Sequence, residues 1–541
     1  MSEKINFIKN GYKILIFCIL IVGFLARVVA IEMCPNGLNV DEASIGYEAY
    51  SILNYGIDRN GNSIPVFLEA WGSGQNALYA YIIMPFVRIL GLSTLSVRLP
   101  MAIIGCISLI VIYKLLSKIN EKEETNASIL LEKYKGGMPF ENNEKLTAVV
   151  LAFFAINPWH IMKSRFGLES NIFPDLMLWS VYFLVAFLKE GKIFKFYIAS
   201  CLVGLCSYAY GTSYLFLPIF VISLLIVLIK NKKIKIKQAI IFLGVVFLIS
   251  LPIILMILIN SFNLNELKIG MITIPRMQSN RYETLTVLSS ENILKTLLSN
   301  FTECMKIIIF QTDELISNAI KPYGITYIFS LPLAIVGMII CFKRKNEINF
   351  VMNMWFLSAL LLTFFVEPNI NRINILWIPI IFYVSIGIYE IIANTKVLKW
   401  IVIAIYLVFF IKFEYAYFRT DFTENYTFYD KIENVIRYTE SMEADTIYFQ
   451  YAFKEPYIYV LFYNKCNSKD FALTVKYKND IKGFDSVISF GKYKFYLPKE
   501  IQDDRNFAYV MRANEEQKYK IDENIWKKTY IDDFLVLEKS K

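Results

Sequence analysis

The chain alternates long apolar runs with short polar turns over most of its length. Several runs are long enough to cross the hydrocarbon core of a bilayer as a helix, which takes about 20 residues. We interpret the runs as membrane spans. The pattern predicts eleven such helices, near 12–31, 97–118, 147–161, 171–188, 194–209, 214–230, 236–260, 323–341, 349–366, 372–393 and 397–413.

One further apolar segment, 76–90, is short and is interrupted by Pro85 and Arg88. Leaving it outside the bilayer puts the lysine-rich segment "KNKKIKIK" on the same side as the basic N-terminus, in line with the positive-inside bias of cytoplasmic loops. We therefore predict that 76–90 lies along the outer surface and that a second surface helix occupies about 42–54. The N-terminus is then cytoplasmic and the C-terminus extracytoplasmic.

This topology places three large polar pieces on the outer side: the loops 32–96 and 261–322, and the tail 414–541. Charge rises in the tail, where "ADTIYFQY" and "FDSVISFG" are typical of strands and "YDKIENVIRYTESM" has apolar residues at helical spacing. The tail is therefore predicted to form a small α/β extracytoplasmic domain. The remainder, 1–413, is predicted to form the transmembrane domain.

Composition agrees with a polytopic membrane protein, since 56% of the 541 residues are hydrophobic and 19% are charged. The net charge of +9 is explained by lysine in cytoplasmic loops, so we do not infer a nucleic-acid partner. The single histidine rules out a His-rich metal site. The eight cysteines are scattered and form no CxxC pair, so neither a zinc knuckle nor a disulfide framework is indicated. The sequence contains no Rossmann-type glycine fingerprint, Walker loop or DxD-type metal motif.

Ionisable residues recur at the outer ends of the predicted spans. They are Asp41 and Glu42 after the first span, Arg98 at the start of the second, Arg165 and Glu169 between the third and fourth, and Glu367 and Arg372 between the ninth and tenth. Each has an ordinary interpretation, as a helix cap, an interface anchor or a helix-surface ion pair. Together, at one depth, they predict an outward-facing pocket. Its arginines would bind phosphate, and a carboxylate would accept a proton from an attacking group.

Four segments in this order resemble a known group of enzymes. They are the acidic pair Asp41–Glu42, "SVRLPMAIIG", "NPWHIMKSRFGLESN" and "NRINILWIPIIFY". They are similar to segments of the membrane-embedded GT-C glycosyltransferases, specifically the bacterial relatives of protein O-mannosyltransferases and aminoarabinose transferases in glycosyltransferase family 39. The resemblance covers roughly residues 10–395 and implies a GT-C fold.

The resemblance also implies an activity and a set of site residues. The donor would be a sugar on a polyprenyl phosphate, transferred with inversion to a protein, lipid or glycan acceptor on the outer face. Asp41 matches the proposed general base and Glu42 its partner, while Glu169 stands where relatives often have aspartate. No cofactor or metal is required, although a divalent cation is compatible with the acidic residues. The residues expected at the donor phosphate are Arg98, Arg165 and Arg372.

Two other functions stay open. A transporter or flippase for lipid-linked sugars would also need many spans, but it usually has charges near the bilayer midplane and paired repeats. In this chain the charges gather at one face, which favours an enzyme. A polymer ligase that uses lipid-diphosphate donors shares the same outward charges, and only the chemistry of the donor distinguishes it.

Overall fold

The computed structural model describes residues 2–71, 74–118, 143–277, 287, 290, 292–425, 428–450, 455–478, 486–504 and 506–539. They form two compact units. The first comprises Met1–Ile31, Met101–Leu251 and Tyr282–Thr420, and the second comprises Glu32–Pro100, Pro252–Arg281 and Asp421–Lys541. The tail after Asp421 therefore belongs to the same unit as most of the first outer loop.

The helices follow the apolar runs, and each predicted span overlaps at least one of them. In chain order they are α1 (Ser2–Val28), α2 (Val40–Tyr55), α3 (Leu78–Leu90), α4 (Thr94–Ser117), α5 (Asn143–Ala155), α6 (Pro158–Ser164), α7 (Ile172–Glu190), α8 (Ile193–Cys206), α9 (Ser213–Lys230), α10 (Ile236–Ser261), α11 (Ile293–Phe310), α12 (Leu331–Lys343), α13 (Glu347–Leu362), α14 (Trp377–Asn394), α15 (Leu398–Tyr417), α16 (Ile432–Glu440), α17 (Pro456–Tyr463) and α18 (Ser468–Thr474).

Within the described residues, seven helices are long and apolar enough to cross a membrane, and an eighth span results if one bent pair is counted. Shorter apolar helices occur at Leu78–Leu90, Ile193–Cys206, Ile328–Lys343 and Glu347–Leu362. The last three coincide with predicted spans, and the first with the predicted surface helix. The chain is thus an α-helical, multi-pass membrane protein.

The predicted span 147–161 is broken into α5 and α6, which meet at an angle of 57°. Pro158 has no N–H to continue the ladder of α5, and Asn157 starts the new helix by accepting the His160 N–H at 2.9 Å. Carbonyl groups at the end of α5 are bound by Arg27 of α1, which donates to the oxygens of Phe154 and Ala155 at 3.0 Å each. The break therefore leaves these backbone groups satisfied.

Close packing in the first unit depends on glycine where α12 meets α14. A Cβ atom added at Gly337 would lie 1.8 Å from the carbonyl oxygen of Tyr383, and one at Gly387 would lie 2.2 Å from that of Leu333. Small residues let membrane helices approach backbone to backbone. The two helices pack along much of their length for this reason.

The second unit contains the β-structure. The strands are β1 (Leu38–Asn39), β2 (Phe67–Leu68), β3 (Gln75–Asn76), β4 (Leu267–Ile269), β5 (Ile272–Ile274), β6 (Phe428–Tyr429), β7 (Thr446–Phe449), β8 (Lys476–Tyr477), β9 (Val487–Phe490), β10 (Tyr493–Lys494), β11 (Phe507–Arg512), β12 (Trp526–Ile531) and β13 (Phe534–Lys539). Seven of them form one sheet in the order β12-β13-β11-β7-β10-β9-β8. β7 runs parallel to both β10 and β11, and the other pairs are antiparallel.

The strands expected in "ADTIYFQY" and "FDSVISFG" are β7 and β9, and the helix expected in "YDKIENVIRYTESM" is α16. Alternating apolar residues of the sheet form a core on one face, around Tyr448, Tyr509 and Trp526. β1, which precedes α2, pairs with β6 of the tail through Leu38 opposite Tyr429. The start of α2 is therefore fixed to the C-terminal part of the chain.

Candidate functional site

The acidic pair lies in the first turn of α2, where its N-terminus is capped by Asn39. The side-chain oxygen of Asn39 accepts the Asp41 N–H at 2.8 Å, and the Asn39 N–H donates to the Glu42 carboxylate at 3.1 Å. This reciprocal capping box satisfies backbone donors that the first turn leaves without helical partners. One of the two acids therefore caps the helix, as the sequence allowed, and that acid is Glu42.

Glu42 also forms a buried ion pair with Arg98. Arg98 donates from Nε and Nη2 to the two carboxylate oxygens, each at 2.8 Å, and both side chains are fully buried. The same guanidinium donates to the carbonyl oxygens of Pro35 at 2.8 Å and Gly37 at 2.7 Å. Arg98 therefore ties the turn before α2 to the acidic pair.

Asp41 is oriented differently from its neighbour. Its side chain is half-buried, and its Oδ1 atom accepts a hydrogen bond from the indole Nε1–H of Trp71 at 3.0 Å. An indole is an obligate donor, so it favours an acceptor such as a carboxylate. Asp41 is thus more accessible than Glu42 and Arg98, which are both fully buried.

A second group of ionisable residues, on α2 and in the segment that follows it, lies in the same unit and was not predicted from the sequence. Arg59 contacts Glu48 at 3.1 Å and donates to the Ser44 hydroxyl at 3.0 Å. Burial raises the pKa of Glu48 to about 8, although the Arg59 charge opposes the shift. Burial likewise raises the pKa of Asp58 to about 6. One available signal was the four-residue spacing of Ser44 and Glu48, which puts both on one helix face.

Arg165 lies in the first unit and is fully buried. It donates to the carbonyl oxygens of Ala26 at 3.1 Å and Ala30 at 3.2 Å, at the end of α1. Its guanidinium carbon lies 5.5 Å from the ring centre of Tyr417 and 5.0 Å from that of Phe418. The guanidinium is therefore held by main-chain oxygens and by aromatic faces.

The turns that carry Glu169 and Arg372 are joined in the first unit. The Asn374 side-chain amide donates to the carbonyl oxygen of Ser170 at 2.6 Å. Glu169 is buried at the start of a short 3-10 turn, whereas Arg372 is partly exposed. Arg372 donates to the Glu367 carboxylate at 2.8 Å. The two turns thus come together, with Arg372 at their more accessible side.

The first unit also contains a buried polar network of Lys163, Asp175, His160 and Arg27, which was not predicted from the sequence. The ammonium group of Lys163 is hydrogen-bonded to the Asp175 carboxylate, and His160 Nε2 lies 3.7 Å from the other oxygen of that carboxylate. His160 Nδ1 is 2.8 Å from the Arg27 guanidinium. Lys163 lies on α6 and Asp175 lies on α7, twelve residues further along the chain. Their pairing therefore depends on the tertiary fold and leaves no local sequence pattern.

The predicted site residues divide evenly between the two units. Asp41, Glu42 and Arg98 belong to the second, and Arg165, Glu169 and Arg372 to the first. Within the described residues, no three His, Cys, Asp or Glu side chains are grouped so that they could hold a metal ion. We therefore assign no chemical step to a metal ion.

Comparison with known proteins relates the chain to solved membrane glycosyltransferases by its fold. No protein-family model matches the sequence. No curated protein matches it either. Among solved structures, the aminoarabinose transferase ArnT from Cupriavidus metallidurans, bound to undecaprenyl phosphate, matches over 97% of this chain and 98% of its own, at 9% identity and a TM-score of 0.54. Its apo state matches over 98% of each chain, at 10% identity and a TM-score of 0.53.

The oligosaccharyltransferase of Archaeoglobus fulgidus, crystallised with Zn and sulfate, also matches, at 10% identity over 84% of this chain and a TM-score of 0.49. The chain spans 61% of the length of that archaeal protein. The match to ArnT, in contrast, covers 97% of this chain and 98% of that protein, and the fold is inferred from this match. The chain therefore has the GT-C fold that its sequence resemblance predicts.

Proposed function

We propose that the protein is an integral membrane glycosyltransferase that moves a sugar from a polyprenyl-phosphate donor to an acceptor on the outer face of the membrane. The observation that carries this proposal is the match with ArnT along 97% of the chain, in a structure that contains undecaprenyl phosphate. The recurrence of carboxylates and arginines in the turns at the predicted outer ends of the spans supports it, because such groups are costly near a bilayer unless they are paired or used.

The proposed reaction is one inverting displacement. The acceptor oxygen or nitrogen forms a bond to the anomeric carbon of the sugar as the bond from that carbon to the phosphate oxygen breaks. The acceptor proton passes to the carboxylate of Asp41, which acts as general base. The electron pair of the broken bond leaves on polyprenyl phosphate, a stabilised anion, so a general acid is not needed.

The half-buried position of Asp41 supports the choice of this residue as base, since an acceptor can approach it. The Glu42 carboxylate already accepts hydrogen bonds from Arg98 and from the N–H of Asn39 in the helix cap. We propose that it holds Asp41 in position and does not contact the sugar. Arg372 is the most accessible of the three arginines and is proposed to contact the donor phosphate. For Arg165 and Glu169 we propose the roles that the sequence resemblance implies, Arg165 in site electrostatics and Glu169 as a second acidic residue.

A donor screen tests the proposal. The purified protein is incubated with several polyprenyl-phosphate sugars and candidate acceptors, and release of free polyprenyl phosphate is followed. We expect release with at least one monophosphate donor. Movement of intact donor between leaflets, with no release, would favour the flippase alternative, and consumption of diphosphate donors alone would favour a polymer ligase.

A further inference from the structure

Trp71 has a backbone conformation that a tryptophan rarely adopts. Its φ angle is +55°, in the left-handed region, and its side chain is buried. A bulky residue in this region is destabilised by contact between its Cβ atom and the backbone. Such strain persists where the surroundings determine the conformation, and it is frequent at functional sites. The contacts of the indole show what the conformation achieves.

One edge of the indole reaches the proposed base. Nε1–H of Trp71 donates to Oδ1 of Asp41 across 3.0 Å, although the two residues are thirty positions apart. Asp41 itself is placed by the helix cap, since its N–H is bound by Asn39 at 2.8 Å. The cap fixes the main chain of Asp41, and the indole acts on its carboxylate.

The faces and edges of the indole are held by two further residues of the same unit. The Arg59 guanidinium lies 5.1 Å from its ring centre, within cation–π range. The ring of Tyr457, from the tail, meets it edge-to-face with centres 6.2 Å apart. Arg59 is in turn bound by Glu48 at 3.1 Å. The orientation of the indole is therefore determined by residues from both the first outer loop and the tail.

We propose that Trp71 is a positioning residue that orients the carboxylate of Asp41 for proton transfer. This inference rests on the proposed function, in which Asp41 is the general base. Donation to Oδ1 restricts rotation of the carboxylate and so holds it in one orientation for proton transfer. An N–H donated to a carboxylate stabilises its ionised form, and removal of the indole N–H is expected to take that stabilisation away from Asp41.

The kinetic test compares Trp71→Phe with Trp179→Phe. Phenylalanine keeps an aromatic ring in contact with Arg59 and Tyr457 but has no N–H to donate to Asp41. Trp179 is a matched control because its indole N–H also donates at 3.0 Å, to the Ser108 hydroxyl. We expect Trp71→Phe to lower kcat about tenfold with little change in KM. We also expect the acid limb of its pH–rate profile to move up by about one pH unit.

Trp179→Phe should keep the wild-type profile. A profile for Trp71→Phe that coincides with wild type, or a loss of kcat with no displacement of the acid limb, would overturn the inference, because a residue that only packs would not move the pH dependence.

A spectroscopic measurement tests the contact without any turnover. In protein labelled with ¹⁵N at tryptophan, the Trp71 indole signal is identified by its absence from Trp71→Phe. We expect this signal to shift with pH as Asp41 ionises, and to lose that shift in Asp41→Asn. An indole signal that is unaffected by Asp41→Asn contradicts the inference even if transfer is observed. If wild-type protein turns over no donor but the signal responds, the positioning contact stands and the proposed function fails.

Discussion

Three buried arginines, Arg27, Arg98 and Arg165, direct guanidinium N–H groups to main-chain carbonyls. A buried guanidinium is costly unless its donors are bound, and carbonyls at helix ends and turns are ready acceptors. An arginine near the end of a span can therefore either hold main-chain carbonyls in place or bind a phosphate. The sequence looks the same in the two cases. Only the contacts distinguish the two roles.

The pair of Glu42 and Arg98 is expected to contribute strongly to stability. Glu42→Gln leaves the Arg98 charge buried without its counter-charge, which should destabilise the protein by about 3–5 kcal/mol. Thermal unfolding in detergent measures the effect. The matched control is Glu367→Gln, which removes a more exposed pair with Arg372 and should cost less than about 1 kcal/mol. Equal losses in the two variants would contradict a structural role for Glu42.

The base assignment predicts a loss of rate without a loss of fold. Asp41→Asn keeps the shape of the side chain and an acceptor for the Trp71 N–H but removes the proton-accepting charge. We expect transfer to fall by at least about 100-fold, with unchanged thermal stability and membrane insertion. Glu303→Gln, at an exposed carboxylate paired with Lys306, serves as the control and should retain activity. Near-normal turnover of Asp41→Asn would remove Asp41 as the base.

At the scale of elements, the packing of α12 against α14 gives a sharp prediction. Gly337→Ala places a methyl group against the carbonyl oxygen of Tyr383, so the helices must separate. We expect a loss of about 1–3 kcal/mol or more, measured as a lower midpoint of thermal unfolding in detergent.

Gly244→Ala is the matched control, because a Cβ atom there has no neighbour within 4 Å. Alanine favours a helix over glycine by about 1 kcal/mol, so this variant should be neutral or slightly more stable. A similar response at both positions would show that helix propensity, and not close packing, determines the result.

The buried acid Glu48 of α2 predicts a dependence of stability on pH. The pKa of Glu48 is raised from its ordinary 4.5 to about 8, so the folded protein binds an additional proton between these values. The stabilisation from that proton is complete below about pH 4.5 and is lost as the pH rises through about 8. We therefore expect amide-exchange protection of α2, corrected for intrinsic rates, to decrease over this range.

Glu48→Gln cannot ionise but can still accept the Arg59 N–H, so it should flatten this decrease. Glu303→Gln should leave the decrease unchanged. A wild-type slope in Glu48→Gln would show that Glu48 does not hold the proton.

The elements were largely predictable because burial in a membrane leaves a strong hydrophobic signal. The interruption of 147–161 was missed, although "NPW" contains both a helix-capping residue and a proline. The order of the seven-stranded sheet could not be predicted, since β7 pairs with β10 and β11 from distant parts of the tail. Pairing of that kind depends on tertiary packing and leaves no local pattern.

At the scale of the whole molecule, the ArnT match persists at 9% identity. The order of spans and outer loops is constrained by the bilayer, whereas the site depends on a few side chains. The sequence singled out Asp41, Glu42 and Arg98 because they flank predicted spans, and their functional roles stay predictions. It did not single out Trp71, Arg59 or Glu48, whose contacts form when the loop 32–96 folds with the tail.

A mass balance on one donor tests whether the protein transfers sugar from a polyprenyl phosphate. The purified protein is reconstituted in vesicles with a polyprenyl-phosphate sugar labelled in both the lipid and the sugar, together with acceptor. We expect one polyprenyl phosphate to be released for each sugar transferred, with inversion at the anomeric carbon. Donor that changes leaflet with both labels still joined, or sugar transferred only from a lipid diphosphate, would contradict the proposed function.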